Sequence, residues 1–452
     1  MSDFSVEIKA LVKLALPVSL SQLSIVGMTA TDVLVAGQAG TVELAGMNLG
    51  NNVWNMIALF FMGVGFATQP LIAKQFGAQN AQGIKQQLHQ SLWLCLALGL
   101  LAIVAVFLGS KLLLLADFEH DMREIAHDYV LIMTLAALPS TLVPALRGVL
   151  EGMNLTRVVF LVNISAFLIN IPIDFMLVHG LYGFPKMGSV GCAWASVFLL
   201  WCTFLSLLLI IKTHRILRSR ELLQGFNRPD KKNILSTLKL GLPIGFSIVI
   251  ELSMFSGAGI LIAKFGSIQA SAHAVALTVA SLSYMLYMGL GQGVTIRASQ
   301  FLGANKADKA WLSIKFGTFF NLIVATVVCV IFIVFDRQII SVFSDDVEVI
   351  NLALVLFLYA AIFQLADALQ VAMIFALRAY QDTVSPPRYQ FFAFLVFGLP
   401  LGIGLAFYKW WPGLEGAQGL WFAMVASLFM VGLLLLKKLL KVRQLELRSM
   451  VE

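Results

Sequence analysis

The sequence predicts an all-α membrane protein of twelve transmembrane helices in two parallel six-helix repeats. Three observations predict it: uncharged apolar runs of bilayer length, an internal duplication, and a lopsided distribution of Lys and Arg. Hydrophobic residues make up 59% of the 452 and charged residues only 12%, whereas soluble domains carry about 25% charged residues and cannot hide this much apolar surface. The runs 316–335, 389–408, 416–436 and 187–211 carry no charge, and each reaches the roughly 20 residues that a bilayer-spanning helix needs.

Taken in order, the helices are expected at about 8–36, 45–74, 89–115, 124–149, 156–179, 188–212, 235–263, 270–300, 310–336, 348–377, 386–408 and 416–440. Gly and Pro punctuate the connections, at Gly37–Gly40, Gly77–Gly83, Gly180–Gly188, Gly266-Ser267, Gly303–Lys306, Pro386-Pro387 and Pro412-Gly413. The first apolar segment is full length and lacks an A-x-A-like exit, so it is expected to stay as the first span. The longest connection, 212–234, is polar and basic.

A shift of 226 positions lays the chain on itself. Lys13, Leu14, Leu16 and Pro17 fall on Lys239, Leu240, Leu242 and Pro243; Gly40 falls on Gly266, Met62–Gly65 on Met288–Gly291, and Gly77-Ala78 on Gly303-Ala304. After two extra residues, Pro172 meets Pro400, Gly188 meets Gly416 and Gly191 meets Gly419. Such register over most of two halves marks an internal duplication.

Orientation follows from the basic residues. All but six of the 31 Lys and Arg fall on the side shared by both termini; the exceptions are Lys111, Arg123, Lys186, Lys264, Arg337 and Lys409. The opposite side gathers acids at Asp117–Asp128 and Asp345–Glu348. Both termini are therefore expected in the cytoplasm. The net charge of +7 is accounted for by this asymmetry and does not call for a nucleic-acid partner.

Six spans per half is an even number, so the halves enter the membrane in the same sense, as a parallel repeat. The expected organisation is an N-lobe at 1–211, a cytoplasmic basic linker at 212–234, and a C-lobe at 235–452 with a cytoplasmic tail. Two such lobes facing a central cleft, and rocking to open it on alternate sides, form a secondary transporter. Enzyme signatures are missing: no Walker A loop, HExxH or GxSxG occurs. The four cysteines (Cys95, Cys192, Cys202, Cys329) lie in apolar spans without metal spacing and read as small buried hydrophobes.

Four carboxylates sit deep in the expected spans: Asp32, Asp174, Glu251 and Asp367. Each costs roughly 2.5–3.5 kcal/mol at a helix centre on insertion scales, so a fold keeps them where they face a polar interior and bind something cationic. Glu251 and Asp367 belong to helices 7 and 10; two acids close together in low dielectric repel, which favours a proton or a metal cation between them. Hard ions such as Na⁺ take carboxylate and carbonyl oxygens, and Tyr284 in helix 8 offers an aromatic face or a hydroxyl. Asn170 and Asp174 are four apart and share a helix face, with Pro172 between them freeing backbone carbonyls. The repeat does not copy these acids, since Asp32 pairs with Ala258 and Glu251 with Ile25. In helix 2, Asn48, Asn51, Asn52 and Asn55 form one polar stripe suited to a cleft wall, of which Asn48 and Asn52 are the candidate substrate contacts.

These residues resemble a known family. The starts LPVSLSQL and LPIGFSIVIE, with TDVLVAGQAGTVELAG, ALRGVLEG, NIPIDFMLVHG…GCAWAS and FQLADALQVAMIFALRAYQD, look like the multidrug and toxic compound extrusion (MATE) family, closest to its bacterial NorM-like branch. The resemblance covers nearly the whole chain. It implies efflux of cationic and amphipathic drugs in exchange for Na⁺ or H⁺, with Glu251 and Asp367 binding the coupling cation (the Na⁺ ligands, if a metal ion couples), Tyr284 beside them, and Asp32 serving protons and drug. Asp174 stands where NorM-like members tend to have Asn; an Asp there resembles the DinF-like branch, whose coupling site lies in the first half. Phe363 stands where some relatives have Tyr. No cofactor is expected, and the protein is expected to be a monomer in the bilayer. The alternative reading is a flippase for lipid-linked saccharides, which calls for several Lys or Arg in the cleft, whereas the deep charges here are acidic.

Overall fold

The computed structural model describes residues 2–115 and 119–451, with side chains described over 7–115 and 119–447; Asp117, one of the acids counted above, lies outside them. Among the described residues twelve helices are long and apolar enough to cross a bilayer: α1 (Glu7–Ala39), α2 (Thr41–Gly77), α3 (Ala81–Leu113), α4 (His120–Gly152), α5 (Thr156–His179), α6 (Val190–Thr213), α7 (Lys231–Ala263), α8 (Ser267–Gly303), α9 (Ala307–Val334), α10 (Val347–Ala379), α11 (Ser385–Ala406) and α12 (Ala417–Leu447). Their number and order match the sequence reading. Several run further than expected because polar turns continue the helix past its apolar stretch. α3 starts at Ala81, where the Asn80 side chain accepts from the Gly83 amide at 2.9 Å, an ordinary N-cap. Hydropathy does not register such turns.

The duplication reappears as geometry. Left-handed residues close equivalent helices: Gln79 and Asn305 (φ 54° and 56°), then Asn154 and Gln381 (66° and 62°). Glu43 accepts from the amide and hydroxyl of Ser189 at the start of α6, and Gln269 accepts from the Ala417 amide at the start of α12. Asn163 donates to Ser21 Oγ in the first half; in the second, Ser247 donates to Gln390 Oε1. Positions 43 and 269, and 21 and 247, are 226 apart, while 154 and 381, and 163 and 390, are 227 apart, between the 226 of the first helices and the 228 of Pro172 and Pro400. One departure is local: a π-helical turn, Phe391–Gly398, precedes Pro400 in α11, while its counterpart Pro172 sits within a regular helix. A proline lacks the N–H that its preceding turn needs, and a π turn is one way to absorb the loss.

The chain falls into two compact units, one of Leu20–Gly245 and one of Met1–Ser19 with Phe246–Glu452. Both boundaries lie inside helices, α1 and α7, at positions that the 226-residue shift superimposes. In the second unit, the start of α1 lies so close to α8 that a Cβ on Gly289 would stand 2.6 Å from the Ser19 amide nitrogen. In the first, α7 does the same against α2: a Cβ on Gly245 would stand 2.6 Å from the Phe60 carbonyl oxygen. Glycine is what permits backbones this close.

The first unit is built on two apolar clusters, one around Met47, Trp54, Tyr129 and Met133, the other around Ile72, Leu88, Leu146 and Leu207. Its linker is docked rather than loose. The His89 ring lies between the Leu222 carbonyl (2.7 Å from Nε2) and the Asn227 amide (3.1 Å from Nδ1), stacked on Phe226, while Gln90 and Trp93 bond the backbone of Arg228, Asp230 and Asn227. A buried ion pair closes the C-terminal end of α4: Arg147 donates twice to Glu151 Oε1 (3.0 and 3.2 Å), and Gln69 donates to Oε2 at 2.6 Å. The second unit has one long apolar core, from Ile262 and Phe332 through Phe357 and Phe394 to Trp421 and Leu435.

Candidate functional site

Each unit holds one pair of the deep carboxylates. In the first, Asp32 near the end of α1 meets Asn170 and Asp174 of α5 and Cys192 of α6. A Cβ on Gly191 would stand 2.9 Å from the Leu177 backbone, so the first turn of α6 lies directly against the last turns of α5 and carries Cys192 to the acids. One carboxylate oxygen each from Asp32 and Asp174 and the Cys192 sulfur lie within 4.8 Å of one another. Asn170 Nδ2 donates to Asp32 Oδ1 at 3.2 Å, and the Cys192 thiol points at the Asp32 carbonyl oxygen at 3.8 Å. Both Asp174 carboxylate oxygens and Asn170 Oδ1 are buried without a hydrogen-bond partner. Two ionised carboxylates about 5 Å apart repel by about 3 kcal/mol at an effective dielectric of 20. A proton or a cation between them removes that cost and satisfies the orphaned oxygens.

The second unit brings Glu251 of α7 and Asp367 of α10 into one polar network. Glu251 Oε1 accepts from Gln370 at 3.3 Å and Oε2 from Gln390 of α11 at 3.2 Å; Gln390 in turn accepts from Ser247. Asp367 is buried, and neither of its carboxylate oxygens has a partner. Gln364, Asp367 and Gln370 follow one another at three-residue spacing on one face of α10. Tyr287 of α8 donates to Gln364 at 2.9 Å, and Asn321 of α9 donates to the Ala368 carbonyl at 3.2 Å, leaving Asn321 Oδ1 and Gln370 Oε1 as further unpartnered acceptors. Tyr284 sits in a small apolar cluster with Tyr287, Val371 and Phe375. The Phe363 ring lies 5.9 Å from Phe255 and 5.9 Å from Trp421, an apolar wall beside the acids.

Among the described residues no hydrogen bond joins the asparagine stripe of α2 to Asp32 or Asp174. Asn55 donates to Asn51 at 3.1 Å; Asn48 is half-buried and Asn52 exposed, and among the described residues neither has a hydrogen-bond partner. Among the residues that the sequence reading did not single out, Cys192, Gln370 and Gln390 meet the acids, Ser196 lies at Asp32, and the Arg378 guanidinium lies beside Glu251. For two of them a signal existed. Gln370 repeats the spacing of Gln364 and Asp367, and Gln390 lies within one residue of the positions that the two register shifts pair with Asn163. Cys192 had none, because an isolated cysteine in an apolar span looks like any small hydrophobe.

Comparison with known proteins agrees with this architecture. The family model described as MatE matches residues 17–176 and 243–403, one stretch in each half. The chain is 31% identical over 440 residues to the multidrug resistance protein NorM of Aliivibrio fischeri, covering 97% of this chain and 96% of that one. It is 33% identical over 423 residues to the multidrug resistance protein PmpM of Pseudomonas aeruginosa, with 93% and 89% covered. Among solved structures, a MOP superfamily transporter from Pyrococcus furiosus superimposes with a TM-score of 0.86 at 18% identity, covering 97% of this chain and 96% of that one. Its likeness is one of fold. The relatives are named as resistance proteins and transporters, and none of these names is that of an enzyme. With both halves matched by the family model and close to full-length identity above 30%, the chain belongs to the MatE family.

Proposed function

We propose that the protein is a secondary active multidrug antiporter that expels cationic and amphipathic drugs in exchange for Na⁺ or H⁺. The observation that supports this most is the pair of buried acid sets, each with carboxylate oxygens that have no partner within the protein. Glu251 and Asp367 are the coupling-cation residues, with Na⁺ as the metal ion they suit and Tyr284 beside them; Asp32, Asn170 and Asp174 take a proton, a cation or the drug. In the cycle, the external cation occupies the carboxylates and weakens the drug-binding conformation, the drug leaves outward, and the cation escapes to the cytoplasm. This is exchange through the differential affinity of two conformations for two ligands. The moving bodies are the lobes 1–211 and 235–452 joined by the linker 212–234, rocking about a cleft that Asn48 and Asn52 help to wall. The protein works as a monomer in the bacterial inner membrane with both termini in the cytoplasm.

The test is efflux of ethidium or a fluoroquinolone from proteoliposomes, with Na⁺ and pH gradients imposed separately. Efflux under Na⁺ alone assigns coupling to Glu251 and Asp367, and efflux under the pH gradient alone moves it to Asp32 and Asp174. No efflux under either gradient rejects the antiporter and leaves a lipid-linked saccharide flippase as the reading to test.

A further inference from the structure

We infer that Arg378 is a carboxylate-reading subsite of the second unit, so that Asp367 and Arg378 together accept an organic zwitterion with an amine at one end and a carboxylate at the other. The inference rests on the multidrug reading above and names a substrate class within it, whereas the deep acids by themselves call only for cations.

The Arg378 guanidinium lies over the Phe375 ring, 4.5 Å from its centroid, a cation–π contact that holds it in place and uses none of its five N–H donors. Among the described residues it makes no hydrogen bond and no ion pair. Elsewhere the helices pair such arginines with carboxylates: Arg147 with Glu151, Arg297 with Glu7 and Arg443 with Asp308. Glu251 lies beside Arg378, but its two oxygens are taken by Gln370 and Gln390. A guanidinium kept this way is open to an anion, and its planar fork matches a carboxylate bidentately.

The other end of the ligand has a place on the same helix. Asp367, Val371, Phe375 and Arg378 follow at steps of four, four and three residues, along one face of α10. Eleven residues put about 16 Å between the Cα positions of Asp367 and Arg378, and a helical side chain leans toward the N-terminus, which draws the guanidinium back toward the acid. Asp367 is 1% exposed and neither of its oxygens has a partner, so it offers acceptors to an amine. Tyr284 and Tyr287 cluster with Val371 and Phe375, so the stretch between the two charges is apolar and aromatic, as the body of an amphipathic drug requires. The first unit has no such arginine: 227 positions before Arg378 stands Glu151, already held by Arg147 and Gln69. An arginine in the last turn of a helix also suits the helix dipole, but that role is blind to a carboxylate on the ligand.

The experiment is ligand binding to the full-length protein in detergent near neutral pH, with no gradient, read by the anisotropy of the ligand's own fluorescence. The probes are ciprofloxacin, its methyl ester, which lacks the negative charge, and ethidium, a cation without a carboxylate. Wild type is expected to bind ciprofloxacin about tenfold more tightly than the ester. Arg378→Gln should weaken ciprofloxacin about tenfold, to the level of the ester, and leave the ester and ethidium binding at least as well as before. Arg378→Lys should keep part of the preference, because an ammonium pairs with a carboxylate without the fork. Equal binding of acid and ester by wild type, or no ciprofloxacin binding, overturns the subsite without any variant. So does a preference that survives in folded Arg378→Gln, or a loss of all three ligands together in that variant; if it does not fold, an undiminished preference in Arg378→Lys has the same force. Ethidium binding without an acid preference sinks this inference and leaves the antiporter standing, and an acid preference without gradient-driven efflux does the reverse.

Discussion

In the first half, Asp32 and Asp174 converge with a thiol and a single carboxamide; in the second, Glu251 has both oxygens met by the amides of Gln370 and Gln390, and Asp367 has neither met. The scaffolds beneath them are nearly interchangeable. Ser21 and Asn163 form the same pair as Ser247 and Gln390, but the second half has Glu251 where the first has Ile25. There the longer carboxamide, by one methylene, bonds Ser247 and the carboxylate together. Duplication thus supplied two copies of one backbone, and a handful of substitutions gave each copy a different set of buried polar side chains. The repeat explains where helices start, stop and touch. It does not explain the acids.

The largest difference to test between the halves is the ion pair of α4. Glu151 lies 227 positions before Arg378 and is held by Arg147 and Gln69. Arg147→Ala leaves a buried carboxylate without its cation and is expected to cost roughly 3–5 kcal/mol. Thermal unfolding in detergent should show a clear loss for that variant and a much smaller one for the double replacement Arg147→Met, Glu151→Leu. Equal losses for the two would mean that the pair's charge is not what holds α4.

Next comes the shared serine–carboxamide pair. Gln390→Leu should weaken cation dependence of transport about tenfold, within the range for a group that orients a ligand residue, with little effect on unfolding. Asn163→Leu should do the reverse, lowering stability by about 1–3 kcal/mol because Ser21 is left buried and unpaired, with cation dependence unchanged. If both variants behave alike, the two halves have not diverged at this position. The smallest effect belongs to the helix caps. Glu43→Gln copies what Gln269 already does in the second half, so it should cost no more than about 1 kcal/mol in the same unfolding assay; a loss several times larger would show that the charge, and not the hydrogen bonds, holds the start of α6.

Much of this was legible in the residues. Apolar length, Gly and Pro punctuation and the 226-residue register located twelve helices, because a bilayer forces each span to be long, apolar and internally hydrogen-bonded. The four deep acids stood out for the same reason. Their company did not. Asp32 and Asp174 are 142 residues apart in the chain, and the sulfur of Cys192 reaches them only because Gly191 lets α6 lie directly against α5. The docking of the linker by His89 was equally hidden, since a lone histidine at the polar end of a helix carries no sign of what its two nitrogens will meet.

The most direct test of the account is drug efflux in Glu251→Gln and Asp367→Asn, each confirmed to insert and fold as wild type does. Loss of ethidium efflux in both, with wild-type protein levels in the membrane, is the expected result. Full efflux in both would contradict the assignment of the coupling cation to the second-half acids.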